Sequence, residues 1–220
     1  MMVHPRPRVV VVDMPGAGQA GVVVARPAIT RADPRYYPLS LANTVLGGGF
    51  SSRLNQEIRI KRGLAYGAGS GVQARRLTGI VAARTQTKNS TAPDVVTLIV
   101  GEMARMGAAP VPADELDTRK AVLIGNFGDA LGTTEGVADV VGDYVVQSVP
   151  LAELARYVTS VQEVDPAAVQ AASKTLLDPA GASIAVVGDA KQFIDPLRKA
   201  YPAVEVIPDA AVKLDAVSLK

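Results

Sequence analysis

The chain has 220 residues, a formal net charge of +2 and 48% apolar residues, but only 4% aromatic residues and neither Trp nor Cys. This length and composition predict one domain, residues 1–220, with a core of aliphatic side chains. The small net charge argues against a nucleic-acid partner, and the absence of Cys excludes disulfides and thiolate chemistry while fitting cytoplasm and periplasm alike.

The N-terminal stretch MMVHPRPRVVVVDM lacks the long apolar segment of a signal peptide, and no later run is long enough to cross a bilayer. The doubled Met resembles a start codon added to a fragment, so we expect that upstream sequence is missing. Residues 1–7 and about 209–220 are expected to be loose termini.

The chain begins with two β-branched runs, residues 8–14 and 19–28, which flank a turn rich in Pro and Gly. This pattern predicts a hairpin. A helix is predicted next, with Asp33 as its candidate N-cap, Pro34 at its first position and the glycines at 47–49 as its end.

A second helix is predicted over residues 53–62, with Ser51 or Ser52 as its cap and Gly63 as its stop. After it, the residues from Leu64 to Val72 and from Gly79 to Thr87 predict a second hairpin, with its turn at Arg75 and Arg76.

Helical periodicity dominates beyond Ser90, and the chain closes with a strand, a helix and a short strand. The four helices expected in this part span residues 92–107, 112–131, 133–148 and 165–177. The order β-β-α-α-β-β, then helices, then β-α-β predicts an α+β two-layer sandwich, in which a mixed sheet carries its helices on one face.

The run Gly47, Gly48, Gly49 with Phe50 and Ser51 precedes a helix, whose N-terminus could bind an anion. A phosphate loop would need a preceding strand and a Gly-Lys-Ser/Thr run, and the sequence predicts a helix before these glycines. The run therefore favours a flexible loop between helices or a loop that contacts a polypeptide.

His4 is the single histidine, so the chain lacks the two or three histidines of most catalytic zinc sites. A residue so close to the N-terminus is also a poor candidate for the positioned general base of a Ser-His-Asp catalytic triad. We therefore expect no metal site. Asp114, Glu115 and Asp117 fall in the first turn of a predicted helix, where negative charge favours the helix dipole, and we interpret them as structural.

Arg59 and Tyr66 are the remaining candidates, because they lie on either side of Gly63 in RIKRGLAY. An arginine at a helix end and a tyrosine at the start of a strand could reach a common point, and both are directional donors. The alternative is that Arg59 pairs with Glu57 or another surface carboxylate and that Tyr66 belongs to the core.

The segment LGGGFSSRLNQEIRIKRGLAYGAGS resembles the C-terminal, zinc-free half of M16 metallopeptidases, the group of pitrilysin and the mitochondrial processing peptidase. The resemblance extends to the opening segment VVVVDMPGAGQAGVVVARPAITRADPRYYPLSLANTVLGGG and to the terminal IAVVGDAKQF, and so covers nearly the whole chain.

This resemblance implies two domains of similar fold that face each other across a chamber, one of which carries an H-x-x-E-H zinc motif. The motif is absent here. Arg59 and Tyr66 match the family's Arg/Tyr pair and would hold and polarise the peptide substrate, while residues 47–51 match a glycine-rich segment near the chamber.

Three functions follow from the resemblance. In the first, the chain is a component of a zinc peptidase that is inactive alone and acts with an H-x-x-E-H domain or subunit. In the second, it is a non-proteolytic scaffold subunit, and in the third, a stand-alone peptide-binding module. Zinc is expected only in the partner, and the isolated chain is expected to associate with itself. The substrate and the compartment, cytoplasmic or periplasmic, stay open.

Overall fold

The computed structural model describes residues 6–220, which form a six-stranded mixed sheet in the order β3-β4-β2-β5-β1-β6. Strand β1 runs parallel to β5 and to β6, and β4 runs antiparallel to β2 and to β3. The strands are β1 Val9–Asp13, β2 Ala20–Ala28, β3 Ala68–Ala74, β4 Gly79–Thr87, β5 Ser183–Gly188 and β6 Glu205–Pro208.

Helices cover one face of this sheet, which confirms the predicted α+β architecture. They are α1 Tyr36–Gly47, α2 Arg53–Asn55 with a π-helical turn Gln56–Ile60, α3 Ala92–Ala108, α4 Ala113–Leu131, α5 Thr134–Val146, α6 Ala152–Gln162, α7 Pro166–Leu176 and α8 Ile194–Ala200. Helices α1, α3 and α7 pack on the sheet, while α4 and α6 pack on α1.

The core lies between the sheet and α1, α3 and α7, and its aliphatic side chains are almost fully removed from water. The opposite face of the sheet remains open, as Val23, Ile80 and Val187 are 36%, 41% and 37% exposed. Burial alternates along β4, where Ala83 and Thr85 are buried, so each strand presents one side to the core and one to the open face.

The first predicted hairpin is wrong in its pairing, although both strands exist. Strand β5 lies between β1 and β2, parallel to the first and antiparallel to the second. The run Val9–Val12 is apolar throughout, as is typical of an interior strand in parallel pairing. Residue order along the chain alone could not reveal that a strand beginning at Ser183 separates the two.

Several predicted boundaries are also wrong. The first long helix begins at Tyr36, because the Asp33 carboxylate accepts from the backbone N–H of Arg35 at 2.9 Å and forms a turn before the helix. Ser52 occupies the N-cap position of α2, but its hydroxyl makes no hydrogen bond with residues 6–220. Helix α6 was missed altogether.

The C-terminal residues include a 3₁₀ turn, Asp209–Ala211, and then run largely exposed beside β1 and β6. The guanidinium of Arg8 donates to the carbonyl oxygens of Val217 and Ser218 at 3.4 and 3.1 Å and to the Glu205 carboxylate. The proposed loose stretch 1–7 lies mostly outside the described residues, as does His4.

No single helix among residues 6–220 is long and apolar enough to cross a membrane. The pair Asn89–Ala108 and Ala113–Leu131 meets that criterion only when its two members, bent by 108°, are counted together.

Candidate functional site

Arg59 and Tyr66 lie on either side of a tight reversal of the chain at one end of the sheet. Arg59 belongs to the π-helical turn, a wider helical turn in which the N–H of Lys61 donates to the carbonyl of Gln56 at 2.9 Å. Gly63 has φ +62°, and its N–H donates to the carbonyl of Arg59 at 3.0 Å. The left-handed conformation at Gly63 ends the helix and returns the chain toward β3, as the sequence predicted.

Tyr66 is 92% exposed, so the alternative that it belongs to the core is wrong. It lies in the segment before β3 rather than within a strand. The Thr87 hydroxyl donates to the carbonyl of Leu64 at 2.7 Å, and the Thr85 hydroxyl donates to that of Gly67 at 2.6 Å. The backbone is therefore held on both sides of a tyrosine whose ring is in water.

Arg59 does not pair with Glu57, so that alternative is wrong too. The carboxylate of Glu57 instead accepts from Lys61 and Arg62, and these hydrogen bonds hold the pKa of Glu57 below its usual value. Within residues 6–220 Arg59 forms no ion pair; its guanidinium carbon lies 4.7 Å from the centroid of the Phe50 ring.

This cation–π contact does not use the N–H donors of the guanidinium. An arginine attracts an aromatic ring through its face, whereas its N–H groups point outward in the plane. Phe50 is itself 64% exposed. Arg59 itself is half-buried, and its guanidinium contacts an exposed ring just before the reversal that leads to Tyr66.

The glycine-rich loop between α1 and α2 divides into a buried and an exposed part. Gly47 is buried, and a Cβ atom there would lie 2.2 Å from the backbone nitrogen of Ser70 on β3, so this glycine allows α1 to approach the sheet. Gly48, Gly49 and Phe50 are exposed. Of the proposed substrate-binding residues, Gly47 thus has a packing role and presents no surface to a ligand.

Two buried side chains hold the exposed part of the loop from below. The amide of Asn55 donates to the carbonyl of Phe50 at 2.6 Å, and its oxygen accepts from the N–H of Ala68 at 3.3 Å. Arg119 of α4 donates to the hydroxyl and the carbonyl of Ser51 at 2.9 and 2.6 Å. Asn55 therefore links the loop to the strand that follows Tyr66.

Four residues that hold the backbone of the site were not predicted from the sequence: Asn55, Thr85, Thr87 and Arg119. The strand period of β4 places both threonines on its buried side, a signal that was available. Nothing in the sequence distinguishes Asn55 from a solvent-facing helical residue.

A groove of about 490 Å³ runs from Tyr66 over the open face of the sheet; we call it the sheet groove. Its polar side chains come from β4 and from the residues before β2, and its floor is apolar. The lining residues are Gln19, Gly21, Val22, Val23, Tyr66, Gly67, Arg84, Thr85 and Gln86.

Residues 6–220 contain no group of three or more His, Asp or Glu side chains placed to hold a metal ion. The carboxylate of Glu115, predicted to be structural, accepts from Arg53 at 2.7 and 3.1 Å. Among the described residues, then, no set of donors fits a zinc site.

Residues 3–123, just over half of the chain, match the family described as the peptidase M16 inactive domain. A Streptomyces coelicolor protein named an uncharacterized zinc protease is 32% identical over 124 residues, which are 56% of this chain and 27% of that protein. A Helicobacter pylori protein named a non-peptidase homolog is 34% identical over 82 residues, which are 37% of this chain and 19% of that protein.

The fold is also similar to solved structures. The crystal structure of a peptidase M16 inactive domain from Pseudomonas fluorescens superposes with a TM-score of 0.78 at 28% identity, over 84% of this chain and 44% of that one. The chain therefore spans less than half the length of each of these three relatives.

Proposed function

The chain belongs to the peptidase M16 inactive-domain family, and from that premise we propose that it is the zinc-free half of a two-part zinc peptidase. In this role Arg59 and Tyr66 contribute to the active site around a zinc ion that is bound by an H-x-x-E-H domain or subunit. That partner belongs either to the same polypeptide or to a separate one. The observation that carries the proposal is Tyr66, whose phenol is almost fully exposed although the backbone around it is anchored by Thr85 and Thr87.

The partner's zinc would supply the chemistry of peptide hydrolysis. Tyr66 would donate a hydrogen bond to the oxygen of the scissile carbonyl as negative charge develops on it, and a donor held in place before the reaction is effective for this purpose. The anchors on Leu64 and Gly67 provide that fixed position.

Arg59 would bind the substrate main chain or a carboxylate beyond the scissile bond. Its guanidinium contacts the Phe50 ring and forms no ion pair within residues 6–220, so its N–H groups can donate to a substrate oxygen. The exposed residues Gly48, Gly49 and Phe50 would line the peptide path beside it, and Ser51 would support the loop through Arg119.

The open face of the sheet would form this chain's wall of the chamber. Val23, Ile80 and Val187 are exposed there, and such a face is expected to promote self-association when the partner is absent. Light scattering over a range of concentrations tests this point: purely monomeric chain at high concentration would contradict it.

Reconstitution tests the proposed function. The chain is mixed with the H-x-x-E-H protein of the same genome, and we expect peptide cleavage from the mixture and none from this chain alone. Arg59→Gln should raise KM about ten-fold, the effect of losing a charge-assisted contact, and Arg59→Lys should not restore it because an ammonium lacks the planar fork. Arg198→Gln, on exposed α8, is the control.

Two results would contradict the proposal. One is cleavage by the H-x-x-E-H protein at an undiminished rate without this chain. The other is an Arg59→Gln mixture with the kinetics of the wild type.

The second candidate is a non-proteolytic subunit of the same fold, which the Helicobacter pylori relative favours because its name describes a non-peptidase homolog. In that case the mixture forms a complex but cleaves no peptide, and variants of Arg59 and Tyr66 leave complex formation unchanged.

A further inference from the structure

Arg84 lines the sheet groove. It lies on β4 opposite Val23 of β2 and Gly69 of β3. Its neighbours Ala83 and Thr85 are buried whereas Arg84 is exposed, so its side chain belongs to the open face. Its partner on β3, Gly69, carries no side chain, and a Cβ there would lie 3.0 Å from the carbonyl oxygen of Gly47.

The charge of Arg84 is not neutralised nearby. No Asp or Glu lines the sheet groove, and among residues 6–220 Arg84 forms no salt bridge. Arg8 and Arg53, by contrast, each hold a carboxylate with two hydrogen bonds. The groove thus offers a planar cation without a counter-ion.

The other lining groups complete a site for one side chain of a peptide. Val23 is 36% exposed and provides an apolar floor, and Gly21 and Gly67 leave that floor uncovered. Gln19 and Gln86 also line the groove, and their amides can bind main-chain N–H and C=O groups. Tyr66, the proposed oxyanion donor, is a further lining residue.

We propose that the sheet groove is a subsite for an acidic side chain of an extended peptide, and that Arg84 is its specificity-determining residue. The guanidinium of Arg84 binds the carboxylate of a Glu or Asp, while Val23 contacts the methylene groups. The place of this subsite in a peptidase rests on the proposed function; the binding preference itself does not.

Peptide binding to the complete 220-residue chain, at concentrations at which light scattering shows monomer, tests the inference. The probes are two fluorescein-labelled, N-acetylated decapeptides that differ only in a central Glu or Gln, with binding followed by fluorescence anisotropy. We expect about five-fold tighter binding of the Glu peptide, the range of a solvent-accessible charge pair, and a smaller preference at high salt. Arg84→Gln should remove the preference and Arg84→Lys should keep part of it.

Arg198→Gln removes an exposed arginine on α8, away from the groove, and should leave the preference unchanged. Equal binding of the two peptides by the wild-type chain, no binding of either at millimolar peptide, or a preference that survives Arg84→Gln would overturn the inference. A melting temperature for each variant separates loss of binding from loss of folding.

The outcome is distinguishable from a failure of the proposed function. If Tyr66 has no part in hydrolysis, Tyr66→Phe leaves cleavage by the reconstituted mixture unchanged. The preference for the Glu peptide in the anisotropy measurement persists in that case. If Arg84 has no part in specificity, cleavage still depends on Tyr66. The ratio of kcat/KM for the Glu peptide to kcat/KM for the Gln peptide is then the same for the wild type and for Arg84→Gln.

Discussion

Arginine and aromatic side chains meet in two regions of the molecule, and only one of them is buried. Between the residues after β2 and helices α1 and α5, Arg31 is 7% exposed, with its guanidinium carbon 3.7 Å from the ring centroid of Tyr36 and 5.2 Å from that of Tyr144. Burial raises the pKa of Tyr144 to about 12. At the end of α2, Arg59 lies over the exposed ring of Phe50 beside a tyrosine in water.

The same residue types thus have different roles in the two regions. In the first, the rings and the guanidinium remove one another from water and contribute to stability. In the second, exposed rings gain little from the fold, while buried polar groups such as Asn55 and Thr85 hold the backbone beneath them. This difference supports the role that we propose for the second region.

Truncation of one tyrosine in each region gives the largest expected difference. Tyr144→Ala removes a 5%-exposed ring and should lower the free energy of unfolding by about 3–5 kcal/mol, as for other buried aromatic residues. Tyr66→Ala should change it by no more than about 0.5 kcal/mol. Urea denaturation of both variants measures the difference; equal losses would end the distinction between the regions.

The glycine loop offers a smaller contrast within the second region. Gly47→Ala would place a methyl group against Ser70 and should cost about 1–3 kcal/mol of unfolding free energy. A Cβ at Gly49 would meet nothing within 4 Å, so Gly49→Ala is the matched control and should lie within about 0.5 kcal/mol of wild type. A neutral Gly47→Ala would show that α1 and β3 are less closely packed than described.

Replacement of Glu57 has the smallest expected effect on the free energy of unfolding, and this effect depends on pH. Its pKa is lowered in the folded chain, so the stabilisation is present above its ordinary value of 4.5 and is lost as the pH falls through the folded pKa. Its partners Lys61 and Arg62 are exposed, so Glu57→Gln should cost only about 0.5 kcal/mol at pH 7 and less at pH 2.

Unfolding of Glu57→Gln and of the control Glu163→Gln across this pH range tests the point. Glu163 is exposed and has no ion-pair partner among residues 6–220, so its variant should follow the wild type at every pH. A cost for Glu57→Gln that is equal at pH 7 and pH 2 would exclude the ion pairs as its cause.

The sequence predicted the six strands and their order along the chain, because alternating or continuous β-branched runs are local signals. It could not predict that β5 separates β1 from β2, since pairing between residues 9–13 and 184–188 depends on the whole core. Helix α6 was missed even though Leu154, Tyr157 and Val161 have helical spacing.

The site was predictable only in part. RIKRGLAY identified Arg59 and Tyr66 and the stop at Gly63, all of which depend on neighbours in sequence. The backbone around the exposed Tyr66 is held by Thr85 and Thr87, which lie about twenty residues further along the chain. Their hydroxyls donate to the carbonyls on either side of Tyr66. The strand period of β4 indicates that both threonines face the core, but nothing local indicates which carbonyls accept their hydrogen bonds.

The kcat of Tyr66→Phe in the reconstituted mixture, measured beside its melting temperature, tests the central claim most directly. If the phenol donates to the developing oxyanion, kcat should fall by about 100-fold with KM nearly unchanged, as for the loss of other oxyanion donors. The melting temperature should stay that of the wild type, because Tyr66 is 92% exposed. A Tyr66→Phe protein that keeps full kcat would contradict the claim that this tyrosine is catalytic.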